Sequence, residues 1–383
     1  MNDHSDRPRA VFFCKFPPPN TGQTIGTELT RRLVERDLEC VVFDNSGDQF
    51  IFGHSATSAA RRLLELLRRM SGMLRYLRRE NADVLYLVTA GSVGGHLRDA
   101  LTILRGRRHV RRIVAHVRSG EFPRNFTRRW QRPLAKYVFS KVDCFIFLSQ
   151  HLADKVADDL PSERRAVVFN CIDEEVRCSE REVAEKLTAR GERETLRVLY
   201  LANMVPAKGY RDVAEAVHLV ASRRPDLALE VDFAGAWPSP EDREAFVRLL
   251  EAKGLSAIAR LHDGIGDRRE VKRLLLETDV VVLPTYYPEA QPRSLIEAIN
   301  AATPIIATRE ASIPEYIFDG VNGYLVDPRA PEQIAAALER LAEPATWRAR
   351  AEAARRVYLE KFDPDVIQRA LVEAFLGGPA KTP

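Results

Sequence analysis

The sequence predicts an α/β protein built as two Rossmann-like, doubly wound domains facing across a cleft, and three observations carry that prediction. Short aliphatic runs, each ending in a loop, alternate with helix-length amphipathic stretches along the chain. The alternation runs its course twice, which gives a first domain at residues 1–175, a second at 190–360 and a closing helix in 361–383. A length of 383 residues is enough for two substantial cores.

Composition narrows the class. A hydrophobic content of 45% with 29% charged residues is that of a soluble globular protein. The five cysteines (Cys14, Cys40, Cys144, Cys171 and Cys178) are odd in number, scattered and without metal-ligand spacing, which predicts free thiols in a reducing compartment. The opening MNDHSDRPRA lacks the apolar core of a signal peptide, and no run reaches the length of a membrane span. The expectation is a cytoplasmic protein or one at the inner face of the membrane. Charge is uneven: residues 1–180 hold 30 Lys and Arg against 22 Asp and Glu, and the remainder hold 28 against 32. A basic first half suits an anionic membrane surface, a phosphorylated acceptor or nucleic acid.

In chain order, Ala10–Phe16 reads as the first strand and runs into the loop Pro17–Gly26, a helix to about Glu35, and a strand Glu39–Phe43. Gly22 lies where backbone can approach a phosphate or sugar, although GQTIG does not fit the dinucleotide fingerprint. Residues 59–79 form an amphipathic helix with Leu63, Leu66, Leu67, Met70, Met73, Leu74 and Leu77 on one stripe, suited to packing on a sheet or lying on a membrane. Strands follow at Asp83–Val88, Ile113–Val117, Val142–Ser149 and Ala166–Ile172. The basic cluster Arg105–Arg112 has no aromatic interleaving, so nucleic acid is not expected as a partner. His116 ends a strand as either a structural hydrogen-bonder or a site residue. Asp173–Glu194 is charged and without a sustained pattern, and is read as the linker.

The second half opens with the strand Arg197–Ala202. Lys208-Gly209 follows just before a helix, a placement suited to neutralising phosphate or to simple solvation. After the strands Leu229–Ala234 and Ile258–Leu261, with His262-Asp263-Gly264 expected beside a nucleotide base, comes the stretch Val280–Pro328. Val280–Leu283 is a strand buried on both faces, Thr285–Ala290 a polar loop, Pro292 a first helical residue, Ser294–Ala302 a helix and Pro304–Ala307 a strand. Such a crossover puts its loop at the carboxyl end of the sheet, where ligands bind. The open N–H groups of Arg293, Ser294 and Leu295 form an anion site fit for a diphosphate, reached through Ala290, Gln291 and Pro292. Glu289 borders the crevice, and Glu297 can accept from a ribose diol. Together these describe a nucleotide-sugar site.

Glu289-x7-Glu297, the preceding Pro-Thr-Tyr-Tyr-Pro and the following Pro-Glu-Tyr-Ile…Asp-Gly-Val-Asn-Gly-Tyr-Leu-Val resemble the donor site of family four retaining glycosyltransferases, which have the GT-B fold. The resemblance implies sugar transfer, with retention, from a UDP- or GDP-sugar to a hydroxyl acceptor that is a saccharide, lipid-linked or small molecule. It places such an enzyme in bacterial glycan, glycolipid or glycosylated-metabolite synthesis. His116-Val117-Arg118 is similar to the family segment whose histidine faces the donor sugar, with Arg118 where a small residue is commoner. Lys208 resembles the lysine of the family's donor-phosphate pair, and Asn203 stands near its arginine. Glu289, His116 and Lys208 are thus the expected catalytic residues. Asn203 and Gly22 join the donor-binding set.

No Asp-x-Asp occupies a suitable loop, so neither a metal nor another cofactor is expected. Spacing argues against a glycosidase pair, since eight residues span roughly 12 Å at helical rise against the 5 Å or so of retaining hydrolases. A nucleotide-sugar epimerase of the same fold and a non-catalytic glycan-binding protein remain as alternatives.

Overall fold

The computed structural model describes residues 7–18, 21–46, 56–90, 93–127, 129 and 131–377. Leu63 of the predicted apolar stripe and Pro19, Asn20, Gly91 and Ser92 of the predicted loops lie outside the described residues or side chains. The chain divides into two compact units. One runs to Cys171 and takes up the chain again from Pro364; the other is Ile172–Asp363.

The first unit contains β1 (Arg9–Cys14), α1 (Gly22–Val34), β2 (Glu39–Asp44), α2 (Ala56–Arg79), β3 (Ala82–Val88), α3 (Val93–Gly106), β4 (Val110–Val117), α4 (Arg132–Phe139), β5 (Cys144–Phe147), α5 (Gln150–Asp154) and β6 (Arg165–Val167). Its six strands are all parallel, in the order β2-β1-β3-β4-β5-β6. Val11–Phe13, Val84–Leu87 and Phe145–Phe147 are buried, as expected of strands covered on both faces. Met70, Met73, Leu74 and Leu77 of α2 are buried too, so that part of the apolar stripe is core, whereas Leu67 is exposed.

The second unit contains α6 (Glu180–Gly191), β7 (Leu196–Leu201), α7 (Tyr210–Arg223), β8 (Leu229–Ala234), α8 (Pro240–Ala252), β9 (Ala259–His262), α9 (Arg268–Glu277), β10 (Val280–Leu283), α10 (Arg293–Asn300), β11 (Ile305–Thr308), β12 (Gly323–Val326), α11 (Pro331–Ala342) and α12 (Pro344–Lys361). Its parallel sheet has the order β12-β11-β10-β7-β8-β9, a doubly wound arrangement in which strand order reverses between β7 and β10. The last helix, α13 (Pro364–Leu376), belongs to the first unit. Its Phe375 ring stacks on Tyr86 at 5.2 Å and lies 5.9 Å from Phe12.

The stretch read as a linker is corrected by α6. Ser179 and Glu182 close a capping box at its start, with the Ser179 backbone N–H donating to Glu182 at 2.8 Å. The helix buries Val183, Lys186 and Arg190. Lys186 Nζ donates to the carbonyls of Leu275 (2.8 Å) and Ala301 (2.9 Å) and to the Thr303 hydroxyl, tying α6 to the ends of α9 and α10. Burial pulls the Lys186 pKa down to about 7.

Candidate active site

At the β7/β10 reversal the two loops Asn203–Gly209 and Pro284–Pro292 leave adjacent strand ends. They are locked together. Tyr286 donates its backbone N–H to Ala207 O at 2.8 Å and its hydroxyl to Pro206 O at 3.1 Å. Gly209 has φ +79°, and a Cβ there would lie 2.6 Å from Pro284 O, so only glycine satisfies both the turn and the approach. The locking brings Lys208 Nζ to 2.8 Å from Glu289 Oε1, with the side chains 20% and 14% exposed. At that exposure the pair is shielded from bulk water yet reachable by a ligand. Lys208 Nζ also lies 5.6 Å from the centre of the Tyr287 ring.

Helix α10 begins one residue later than the sequence suggested. Pro292 is its N-cap, at φ −66° and ψ 113°: the ring sets a helical φ but the extended ψ leaves the residue outside the helix. A proline offers no side-chain cap, so the first-turn N–H groups of Arg293, Ser294 and Leu295 have no side-chain acceptor from it. Leu295 is buried against the core, Ser294 and Ala290 are half-buried, and Gln291 is buried.

Glu297, only 4% exposed, is held by residues that sequence spacing did not reveal. Arg268 donates to Glu297 Oε1 and, at 3.1 Å, to Asp173 Oδ2. Arg293 donates to the same Asp173 oxygen at 3.0 Å and stands 3.8 Å from Glu297 Oε1. Both arginines therefore converge on one oxygen of each carboxylate. Burial opposes the charge on Arg268, but Glu297 and Asp173 outweigh it, and the Arg268 pKa is raised above its ordinary value. Only the Arg293/Glu297 contact, at helical i, i+4 spacing, could be read from sequence.

Asn203 is exposed. Its carbonyl accepts from the Tyr200 hydroxyl at 3.2 Å and from Val205 N at 2.7 Å, and its side chain makes no hydrogen bond among the described residues. The Asp319–Gly323 turn owes its residue types to the fold. Buried Asn322 donates to Tyr316 O at 2.8 Å and accepts from Phe318 N at 2.7 Å, Asp319 accepts from Leu325 N at 3.0 Å, and Gly320 has φ +73°. At the end of β9, His262 Nε2 meets Asp232 at 2.6 Å, and the next residue, Asp263, accepts from Trp237 at 3.1 Å and Arg243 at 2.8 Å.

In the first unit His116 sits on β4, 2% exposed, with Nδ1 2.8 Å from the Tyr86 hydroxyl. Its Nε2 is buried without a hydrogen-bond partner among the described residues. Burial, and to a lesser degree the nearby Arg118, push its pKa well below the ordinary value, so the ring is neutral at neutral pH. Arg118 fills the space above α1, donating to Gly26 O (2.8 Å), the Thr30 hydroxyl (2.7 Å) and Asn170 Oδ1 (2.8 Å). A Cβ on Gly26 would collide with that guanidinium, whereas one on Gly22 would meet nothing within 4 Å. The α1 N-terminus is already capped by Thr21, which accepts from Thr24 N at 3.2 Å.

Comparison with known proteins gives the family and the fold. Residues 183–357 match the family Glycosyl transferases group 1, and residues 23–176 match Glycosyltransferase Family 4. The chain belongs to this family of glycosyltransferases. A D-inositol 3-phosphate glycosyltransferase of Arthrobacter sp. (strain FB24) is 33% identical over 150 residues, 39% of this chain and 35% of that protein. An MMP alpha-(1->4)-mannosyltransferase of Mycolicibacterium hassiacum is 30% identical over 169 residues, 43% of this chain and 39% of that protein. The matched part thus spans little more than a third of these relatives. Among solved structures, Anabaena Alr3699/HepE in complex with UDP superimposes with a TM-score of 0.72 at 16% identity, covering 96% of this chain and 100% of that one. A glycosyltransferase from Rickettsia africae superimposes with a TM-score of 0.74 at 13% identity, over 97% and 98%. These likenesses show the fold, which is GT-B.

Proposed function

We propose that the protein is a retaining glycosyltransferase that moves a sugar from a nucleoside diphosphate donor, UDP- or GDP-linked, to a hydroxyl group of a saccharide, lipid-linked or small-molecule acceptor. The observation that carries this reading is the Lys208–Glu289 pair at the strand-order reversal, beside the uncapped start of α10. A departing diphosphate needs positive charge where its oxygens collect electrons. Lys208 supplies a cation and the first-turn N–H groups of Arg293, Ser294 and Leu295 supply aligned dipoles, so the reading requires no divalent ion. Glu289, in contact with Lys208, holds the hydroxyls of the donor sugar and stabilises positive charge near the anomeric carbon.

Glu297 receives the ribose diol through the oxygen that the arginines do not take. Neutral His116, whose Nε2 has no hydrogen-bond partner among the described residues, is suited to receive a sugar hydroxyl, and Gly22 leaves open space at the start of α1. Ala290, Gln291 and Pro292 line the donor, and Asn203 meets it without adding charge. The family resemblance supports retention, and the UDP bound by HepE supports a uridine donor. The basic first half supports an acceptor at the inner face of a membrane, with the enzyme cytoplasmic.

A panel of UDP- and GDP-sugars tested by thermal shift checks the reading, because a ligand bound only by the folded state raises Tm by mass action. One donor class is expected to raise Tm with EDTA present, and product analysis to show transfer with an unchanged anomeric configuration. No shift with any nucleotide-sugar, or a shift that requires manganese, would contradict it.

A further inference from the structure

We infer that the outer face of the helix row α2–α3–α4 in the first unit is a docking surface for a bilayer rich in anionic lipid. This deepens the membrane-facing part of the proposed function but is measured by binding, without turnover. Residues 56–142 hold 20 Lys and Arg against 5 Asp and Glu, so the net basic charge of the chain is concentrated here. The few acids are largely engaged: Asp99 is buried beside Arg98, Asp83 meets Arg111, Glu80 meets Arg9 and Glu121 meets Arg124.

The three helices are neighbours, α2 packing on α3 and α3 on α4. The strands they connect advance in one direction along the sheet, from β2 past β1 to β3, then to β4 and β5, and right-handed crossovers then put the helices on the same face. Each carries large apolar side chains left largely open to solvent, with Lys141 Nζ 4.9 Å from the centre of the Tyr137 ring. Leu64 of α2, Leu97 of α3, and Leu134 and Tyr137 of α4 are between 57% and 68% exposed. On α2 the exposed stripe continues as Leu67, Arg68, Arg75, Arg78 and Arg79, while Met70, Met73, Leu74 and Leu77 on the opposite stripe already fill the core.

The exposed leucines are therefore not needed by the fold, and those of α2 share their face with Arg68, Arg75, Arg78 and Arg79, which meet no carboxylate among the described residues. Aliphatic groups that can enter the headgroup boundary, set among cations that meet lipid phosphate, are what an anionic bilayer surface recognises. Nucleic acid would use the arginines but has no use for exposed leucine, since its bases stack on aromatic and guanidinium planes.

The test is flotation of the full chain with vesicles of phosphatidylcholine alone and of phosphatidylcholine mixed with phosphatidylglycerol, with and without competing duplex RNA. Binding is expected to the mixed vesicles only and to weaken with salt. The triple variant Arg75→Gln/Arg78→Gln/Arg79→Gln should lose binding on the order of a hundredfold, at about fivefold per cation near an anionic surface. Leu64→Ser/Leu67→Ser should lose roughly tenfold or more through the apolar area no longer buried. Leu134→Ser, on a different helix, repeats the second test independently. All sites are exposed, so Tm and the Tm shift given by nucleotide-sugar should match wild type, which separates this inference from the donor reading. Equal binding to both vesicle types, or full competition by RNA with undiminished binding of the leucine variants, would overturn it.

Discussion

The two units place cations above the carboxyl ends of parallel strands, yet they treat those cations differently. In the first, Arg118 donates to three neutral oxygens and occupies the space that Gly26 leaves, so the strand end is filled. In the second, Lys208 faces a single carboxylate, Glu289, next to a helix start that proline cannot cap. Lys186, elsewhere in the second unit, also meets neutral acceptors and is deeply buried, and there burial brings the pKa down to about 7. A cation satisfied by neutral groups holds helices and strands together. One paired with a reachable carboxylate can exchange that partner for a ligand phosphate.

Substitutions on the two sides of this comparison should give different phenotypes. The largest effect is expected from Glu289→Gln: kcat should fall by roughly 10²–10³-fold, the scale of losing one preorganised electrostatic contact in a transition state, with Tm nearly unchanged. Arg118→Met should do the reverse, lowering stability in denaturant by about 1–3 kcal/mol through orphaned acceptors while donor-induced Tm shifts persist. If Arg118→Met abolished the donor shift at wild-type stability, the comparison would fail.

Arg268→Gln sharpens the second-unit side. It removes the guanidinium that fixes Glu297, so KM for the donor should rise about tenfold, the scale of a lost charge-assisted hydrogen bond, with kcat little changed and partial rescue by Arg268→Lys. Preference for the donor over its 2′-deoxyribose analogue should narrow at the same time. A fall in kcat at constant KM would place Arg268 elsewhere in the reaction.

The smallest effect concerns Lys186. Its folded pKa of about 7 lies below the ordinary lysine value of 10.5. Between those values the unfolded chain holds the extra proton, so the stability contributed at this site rises as pH increases. The stability of wild type relative to Lys186→Met should therefore grow from pH 7 towards 10.5, as measured by urea melts. A flat difference would mean that the lysine stays charged in the fold.

Much of the fold was legible because buried parallel strands advertise themselves. Val280–Leu283 could only be a covered strand, and its following loop and helix placed Glu289 and Glu297. Helix α6 escaped because its inward face carries Lys186 and Arg190, which no hydrophobic period records; the Ser179/Glu182 capping box was the signal available. Arg268 and Asp173 escaped for another reason: they are 95 residues apart and meet only through the tertiary fold. Asp173 lay moreover in the stretch read as a linker. Leu67 matched the helical stripe of core residues but fell on its exposed edge, because an apolar stripe does not say which of its borders a sheet will cover.

The central claim is that Lys208 and the start of α10 seat a nucleoside diphosphate. Calorimetric titration of UDP and GDP into wild type and Lys208→Met, both with EDTA, tests it most directly. The account predicts that one nucleotide binds wild type without metal and that the variant binds it at least tenfold more weakly, as befits a lost charge-assisted phosphate contact. Equal binding by the two proteins, or no binding of either nucleotide by wild type, would contradict it.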